Sequence, residues 1–211
     1  MRDKHPILVC ISQRVDELAA YGEIRDALDQ RLVAWLVQSG CIPLPIPNSL
    51  EAINLHDWLD CIKPNAIVLS GGNDIGQYSC RDNTERFLLS WAAKHPTPVL
   101  GICRGMQMMA VWAGTKLVKA EGHVRTRHHL VIADRSGQWP DNVNSYHDWR
   151  LASCPAGFEV AATSEDGSIE AVRHMQLPWE GWMWHPERES THSPQDQERL
   201  VRLFAIQGEI R

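Results

Sequence analysis

The sequence predicts an α/β fold, a three-layer sandwich in which a mostly parallel central sheet carries helices on both faces, plus a small antiparallel element. Three observations lead there. Short β-branched apolar runs alternate with amphipathic runs through the first half of the chain, and two of those runs stop at glycine-rich turns, SGG at 70–72 and GIC at 101–103. The second half changes texture to short strand-like runs joined by polar turns. Alternating β and α units build parallel sheets whose ligands bind beyond the carboxyl ends of the strands. Both glycine turns fall at such ends.

Taken in order, ILVCIS (7–12) is a short β-branched strand. The spacing over 24–40 predicts a helix with Leu28, Leu32, Trp35 and Leu36 on one face, stopped by Gly40. CIPLPIP (41–47) is extended because its prolines forbid helix, and a shorter helix covers 49–61. NAIVLSGG (65–72) is a buried strand, TERFLLSWAAKH a helix, TPVLGIC a strand, and another helix begins near Arg104. LVIADRS, FEVAATS, SIEAVRH and EGWMWH follow as strands, and SPQDQERLVRLFAIQG closes the chain as a helix. In LPWEGWMW the alternating Trp and Met residues fit a half-buried strand, so these aromatics are assigned to the core.

A length of 211 residues with 44% hydrophobic content suits one domain over 1–211. The formal net charge of −5 lacks the clustered basic excess of a nucleic-acid binder, so a small-molecule partner is expected. The six cysteines are dispersed with no CxxC pair, which fits reduced thiols in a cytoplasm. The opening MRDKHPILVCISQR lacks a secretory apolar region, and no run approaches the ~20 apolar residues of a membrane span. A cytoplasmic protein is expected, with a homodimer admissible.

The segment VLGICRGMQ (99–107) sets Cys103 at the sharpest point of a strand-to-helix turn. Gly101 and Gly105 relieve crowding there, so the thiol protrudes. The N–H groups of the next helix face the sulfur, favour thiolate over thiol, and can hold a developing oxyanion, with the Arg104 N–H best placed. A base is supplied by EGWMWHPERE (180–189). Alternation in an extended segment puts His185 and Glu187 on one side, so a carboxylate can orient an imidazole that takes the thiol proton.

LSGG, VLGICRGMQ and WHPE, in that order and separation, resemble the class I glutamine amidotransferase superfamily over nearly the whole chain. The resemblance implies a flavodoxin-like α/β sheet and a triad of Cys103 as nucleophile, His185 as general base and acid, and Glu187 as its orienter. It further implies an oxyanion hole from the Gly72 and Arg104 N–H groups, no cofactor, and a grip on the substrate's α-amino and α-carboxylate groups by Gln107 and the Ser145, Tyr146 and His147 segment.

Within the superfamily, the arginine after the nucleophile, Gly71-Gly72-Asn73-Asp74 and VNSYH (143–147) resemble γ-glutamyl hydrolases. The γ-glutamyl-aminobutyrate type has a proline after GGxD and an asparagine with paired glycines in the next helix, where this chain has IGQYS and MMAVWAGTKL. ISQRV, YGEIRDALDQ, SGGND, GICRGMQM and MWHPERE are more similar to the γ-glutamyl-CDP-amidate hydrolases of capsule phosphoramidate biosynthesis, which release glutamate. The alternatives are the aminobutyrate type, a glutaminase subunit with a synthetase partner, or a non-catalytic regulatory homologue. Arg14, Arg25 and Arg81 could face a diphosphate, and Arg14, just beyond the first strand, has the positional argument. HVRTRHH (123–129) is expected to bind no metal, since His123 and His128 lack a carboxylate or thiol at ligand spacing and Arg125 and Arg127 would repel a cation.

Overall fold

The computed structural model describes residues 7–50, 52–134 and 138–205. Along the chain run β1 (Ile7–Ser12), β2 (Arg14–Leu18), β3 (Glu23–Ala27), α1 (Gln30–Gln38), β4 (Cys41–Ile46), α2 (Ala52–Ile62), β5 (Ala66–Leu69), α3 (Ser79–Lys94), β6 (Val99–Ile102) and α4 (Arg104–Trp112). Then come β7 (Leu117–Lys119), β8 (Val124–His129), β9 (Val131–Ile132), β10 (Asn142–Tyr146), β11 (Trp149–Leu151), β12 (Phe158–Thr163), β13 (Ile169–His174), β14 (Trp179–Trp182), a 3₁₀ turn (Pro186–Arg188) and α5 (Pro194–Ala205).

Eight strands form one sheet in the order β4-β1-β5-β6-β14-β13-β12-β9. The pairs from β4 through β14 are parallel, and those among β14, β13, β12 and β9 are antiparallel. β5 and β6 are buried along their whole length, as strands covered on both faces must be. One face packs Leu32, Trp35 and Leu36 of α1 and Leu200, Leu203 and Phe204 of α5 with Trp139, Trp182 and Trp184. The other packs Leu55 and Leu59 of α2, Leu88 and Leu89 of α3 and the methionines of α4. The Trp residues of LPWEGWMW are in the core as expected, but Trp182 and Trp184 pack on one face and Trp179 on the other, so β14 is buried on both sides and not half-buried.

Two differences from the sequence expectation are physical. The helix expected over 24–40 starts only at Gln30, because Asp29 caps it by accepting from the Arg31 N–H at 2.9 Å. Residues 23–27 instead pair antiparallel with β2 as a largely exposed ribbon, fastened where the Asp26 carboxylate accepts from the Asn48 backbone and side-chain N–H groups. The HVRTRHH stretch, given no element from sequence, enters β8 and pairs with β10. Residues 135 and 136 of LVIADRS and 206–208 of the closing helix lie outside the described residues.

Candidate active site

Parallel register delivers three chain segments to one place. Leu69 of β5 stands opposite Gly101 of β6, and Ile102 stands opposite Trp182 of β14. The next residues of three neighbouring strands, Ser70-Gly71-Gly72, Cys103 and Met183-Trp184-His185, therefore emerge together at the carboxyl edge of the sheet. The Cys103 N–H extends the ladder by donating to the Trp182 carbonyl at 2.7 Å.

Cys103 has φ 51° and ψ −104°, a conformation L residues rarely adopt and one that stores strain at the strand-to-helix turn. The glycines around it answer to space. A Cβ on Gly105 would lie 2.1 Å from the Leu69 carbonyl oxygen, and one on Gly101 2.7 Å from the Gly105 backbone. A helix can start this close to β5 and β6 only without those carbons. The N–H groups of its first turn lack intrahelical partners by construction, and Arg104 is its first residue. Of the other cysteines, Cys10 and Cys41 are buried in the core, where burial pushes their thiols up to about 12 and about 11.

His185 is 2% exposed, and its Nδ1 stands 2.7 Å from Glu187 Oε1. The pairing does not come from strand alternation, as expected, since β14 ends at Trp182 and the 3₁₀ turn folds Glu187 back onto the ring. Burial works against the imidazolium, but the adjacent Cys103 sulfur and Glu187 carboxylate more than offset it and raise the His185 pKa to about 9. A Cβ on Gly71 would sit 2.6 Å from His185 Cε1, so the first glycine of the SGG turn makes room for the imidazole. The His185 backbone is fixed by Asn144, whose Oδ1 accepts from the His185 N–H at 3.0 Å and whose Nδ2 donates to the His185 carbonyl at 2.8 Å. Sequence reasoning singled out the neighbours of Asn144 and passed over this residue.

Under the glycine turn lies a buried charge network. Arg81 donates to the Ser70 carbonyl at 2.7 Å, to the Gly71 carbonyl at 3.1 Å, to the Gly72 carbonyl, and to Glu85 at 3.0 Å. Because a trans peptide points its C=O and N–H in opposite directions, engaging the Gly71 carbonyl aims the Gly72 N–H away from Arg81. The Arg104 guanidinium is paired with Glu85 and Asp82. Burial opposes the charge of Glu85, yet Arg104 and Arg81 hold its carboxyl below the usual range. Arg81 is thus fully buried and engaged, which corrects its candidacy as a phosphate contact. Arg25 pairs with Glu23 on the exposed ribbon. Arg14 lies beside Gly72, with its Nε 2.7 Å from Asp16.

A cleft of about 350 Å³ gathers Arg14, Gly72, Cys103, Gln107, Tyr146 and His147. An adjoining hollow joins Arg14 and Gly72 to His185 and Glu187. Gln107 lines the cleft while its Nε2 donates to the Trp149 carbonyl at 3.0 Å. Tyr146 is half-exposed and meets the His185 ring edge-on. Ser145 is fully buried with its hydroxyl on the His123 carbonyl at 2.7 Å, so the structure does not bring its side chain to the cleft with the others. The expectation for HVRTRHH also changes. Folding gathers His123 and His128 with His147 and Glu170, ligand-type side chains from distant parts of the chain, while Arg125 and Arg127 are exposed.

Comparison with known proteins bears on the family and the fold. The family model for class-I glutamine amidotransferases matches residues 20–207. The gamma-glutamyl-CDP-amidate hydrolase of Campylobacter jejuni is 31% identical over 152 residues, covering 69% of this chain and 72% of that protein. A glutamine-hydrolyzing GMP synthase subunit of Thermococcus kodakarensis is 28% identical over 172 residues, covering 78% of this chain and 85% of that one. A putative GMP synthase subunit from Thermoplasma acidophilum superimposes with a TM-score of 0.76 at 22% identity over 98% of both chains, a likeness of fold. The chain belongs to the class-I glutamine amidotransferase family.

Proposed function

We propose that the chain is a cysteine amidohydrolase that cleaves a γ-glutamyl amide or phosphoramidate through a γ-glutamyl thioester, with γ-glutamyl-CDP-amidate as its substrate. The reading rests on one observation: the His185 imidazole is held by Glu187 at 2.7 Å and interacts with the sulfur of a cysteine on a strained strand-to-helix turn.

In this mechanism the Cys103 sulfur attacks the γ-carbonyl carbon, and the negative charge moves to the carbonyl oxygen, where the Gly72 and Arg104 N–H groups stabilise it. As the tetrahedral species collapses, the C–N bond breaks and the His185 imidazolium gives its proton to the departing nitrogen. Neutral His185 then takes a proton from water, the resulting hydroxide attacks the thioester, and glutamate leaves as sulfur and imidazolium are restored. Glu187 keeps the proton-transferring nitrogen, Nε2, turned away from itself and stabilises the imidazolium. Gln107, Tyr146 and His147 form the wall against which the glutamyl α-groups would lie. Arg14 is the cation available to a diphosphate leaving group.

The likeness to gamma-glutamyl-CDP-amidate hydrolase supports the phosphoramidate substrate. The likeness to GMP synthase subunits supports a second reading, a glutaminase that passes ammonia to a synthetase partner. Assaying the purified chain against γ-glutamyl-CDP-amidate, γ-glutamyl-aminobutyrate and glutamine separates them. Fastest turnover of the first without a partner is expected. Glutaminase activity that appears only with a synthetase would establish the second reading instead.

A further inference from the structure

His147, which lines the cleft, also belongs to a cluster whose other members, His123, His128 and Glu170, the proposed chemistry does not use. His123 immediately precedes β8, His128 lies within it, His147 follows β10, and Glu170 is on β13. One ligand-type atom from each lies within 4.8 Å of all the others. Glu170 is fully buried, and His123 and His147 are 2% and 3% exposed. The atoms facing inward, His123 Nδ1, His128 Nε2, His147 Nε2 and both Glu170 carboxylate oxygens, are buried without a hydrogen-bond partner. Orphaned polar atoms gathered this closely from four side chains are costly unless a shared partner satisfies them.

The outward nitrogens say what that partner is. His123 Nε2 lies 3.0 Å from the Asp166 carboxylate, and His147 Nδ1 lies 3.0 Å from the Trp149 carbonyl. Both of those oxygens can only accept, so both outward nitrogens carry protons, and in neutral imidazole the inward nitrogens are then bare lone pairs. They face Glu170 Oε1 at 3.5 and 3.6 Å. Acceptors facing acceptors repel unless a cation stands between them, either a second proton on a ring, toward which Glu170 biases His123, or one metal ion shared by all four side chains. Two ligands on one tetrahedral ion with bonds of about 2.0–2.2 Å stand roughly 3.3–3.6 Å apart. A metal-bound histidine also ordinarily donates its other ring N–H to a carboxylate or backbone carbonyl, as both do here.

We propose that His123, His128, His147 and Glu170 form a closed tetrahedral site for a zinc-class divalent ion that fastens the β8–β10 ribbon to β13. Three imidazoles and a carboxylate suit zinc, and four protein ligands leave no open position, so the role is structural. Through His147 the ion would set the wall of the Cys103 cleft. The site is independent of the triad, so the Cys103→Ala variant should bind metal as the parent does.

The test measures metal content of the purified protein by elemental analysis, then strips it with a chelator and titrates the folded protein with Zn²⁺ and, separately, Co²⁺. The expected result is one equivalent per chain, visible ligand-field bands of tetrahedral Co²⁺, and a higher Tm with metal than without. Asp166→Asn, at a half-exposed carboxylate that orients His123 and also accepts from the Ser164 hydroxyl and the Ser168 N–H, should weaken the metal about 10–100-fold in a variant that still melts cooperatively. His128→Ala should lower the stoichiometry or the affinity further. A folded parent protein that takes up neither ion and whose Tm is indifferent to Zn²⁺ would overturn the proposal. So would one equivalent of metal that persists with unchanged affinity in both His128→Ala and Glu170→Gln.

Discussion

The side-chain amide of Asn144 holds the His185 backbone from both directions, accepting from its N–H at 3.0 Å and donating to its carbonyl at 2.8 Å. The same Nδ2 donates to Glu189 Oε1 at 2.8 Å, so the amide ties β10 to both sides of the 3₁₀ turn carrying Glu187. Asn144→Ala leaves the buried His185 N–H without its partner, while the His185 carbonyl keeps the Arg188 N–H at 3.0 Å, and should lower stability by about 1–3 kcal/mol. Because the imidazole is displaced while the cleft wall remains, kcat should fall more than KM rises. Steady-state kinetics with thermal melts checks this, and an unchanged kcat would show that the 3₁₀ turn alone positions His185.

Glu85 is buried between Arg81 and Arg104. Glu85→Ala leaves buried Arg81 without a carboxylate partner and Arg104 with Asp82 alone, and a loss of about 3–5 kcal/mol in unfolding free energy is expected. Chemical denaturation measures it. A loss below about 1 kcal/mol, the scale of an exposed pair, would mean that Asp82 and the carbonyls of residues 70–72 suffice.

The raised pKa of His185 gives a pH dependence with a definite sign. Its folded value of about 9 lies above the ordinary 6.5, so the imidazolium contributes stability that is full below pH 6.5 and is lost as pH rises toward 9. Removing the sulfur in Cys103→Ala removes one of the two interactions that raise it, so the titration should move down in pH. NMR titration of the imidazole in parent and variant is the check. An unmoved pKa would place the whole effect on Glu187.

Much of this site was legible in the sequence, for reasons the structure makes plain. Cys103 and the SGG turn directly follow apolar, β-branched strands and His185 follows the tryptophan-rich β14 by three residues, so in-register parallel strands bring them together once the strands are recognised. Gly101 and Gly105 were readable because a close approach of backbones leaves no chemical alternative. What could not be read depends on long-range pairing. Asn144 reaches His185, and Glu170 reaches His123 and His147, only through the antiparallel half, where strands are short and their register is bulged. The β2–β3 ribbon was missed because its exposed residues carry no buried-face pattern, and Leu28 beside them simulates a helical stripe.

Arg14 stands beside Gly72 with its Nε on Asp16 and its Nη1 nearest the glycine turn. If it contacts a diphosphate, Arg14→Met should weaken catalysis on γ-glutamyl-CDP-amidate by roughly 1.5–3 kcal/mol while slow hydrolysis of glutamine changes little. Equal losses on both substrates would assign Arg14 to the architecture of the turn.

The central claim is that Cys103 carries the glutamyl group, and mass spectrometry of the protein quenched in acid during turnover of a γ-glutamyl substrate tests it most directly. The account predicts a glutamyl adduct mapped to the Cys103 peptide, absent from Cys103→Ala, which should be folded and without activity. An adduct on another residue, or substantial turnover by folded Cys103→Ala, would contradict it.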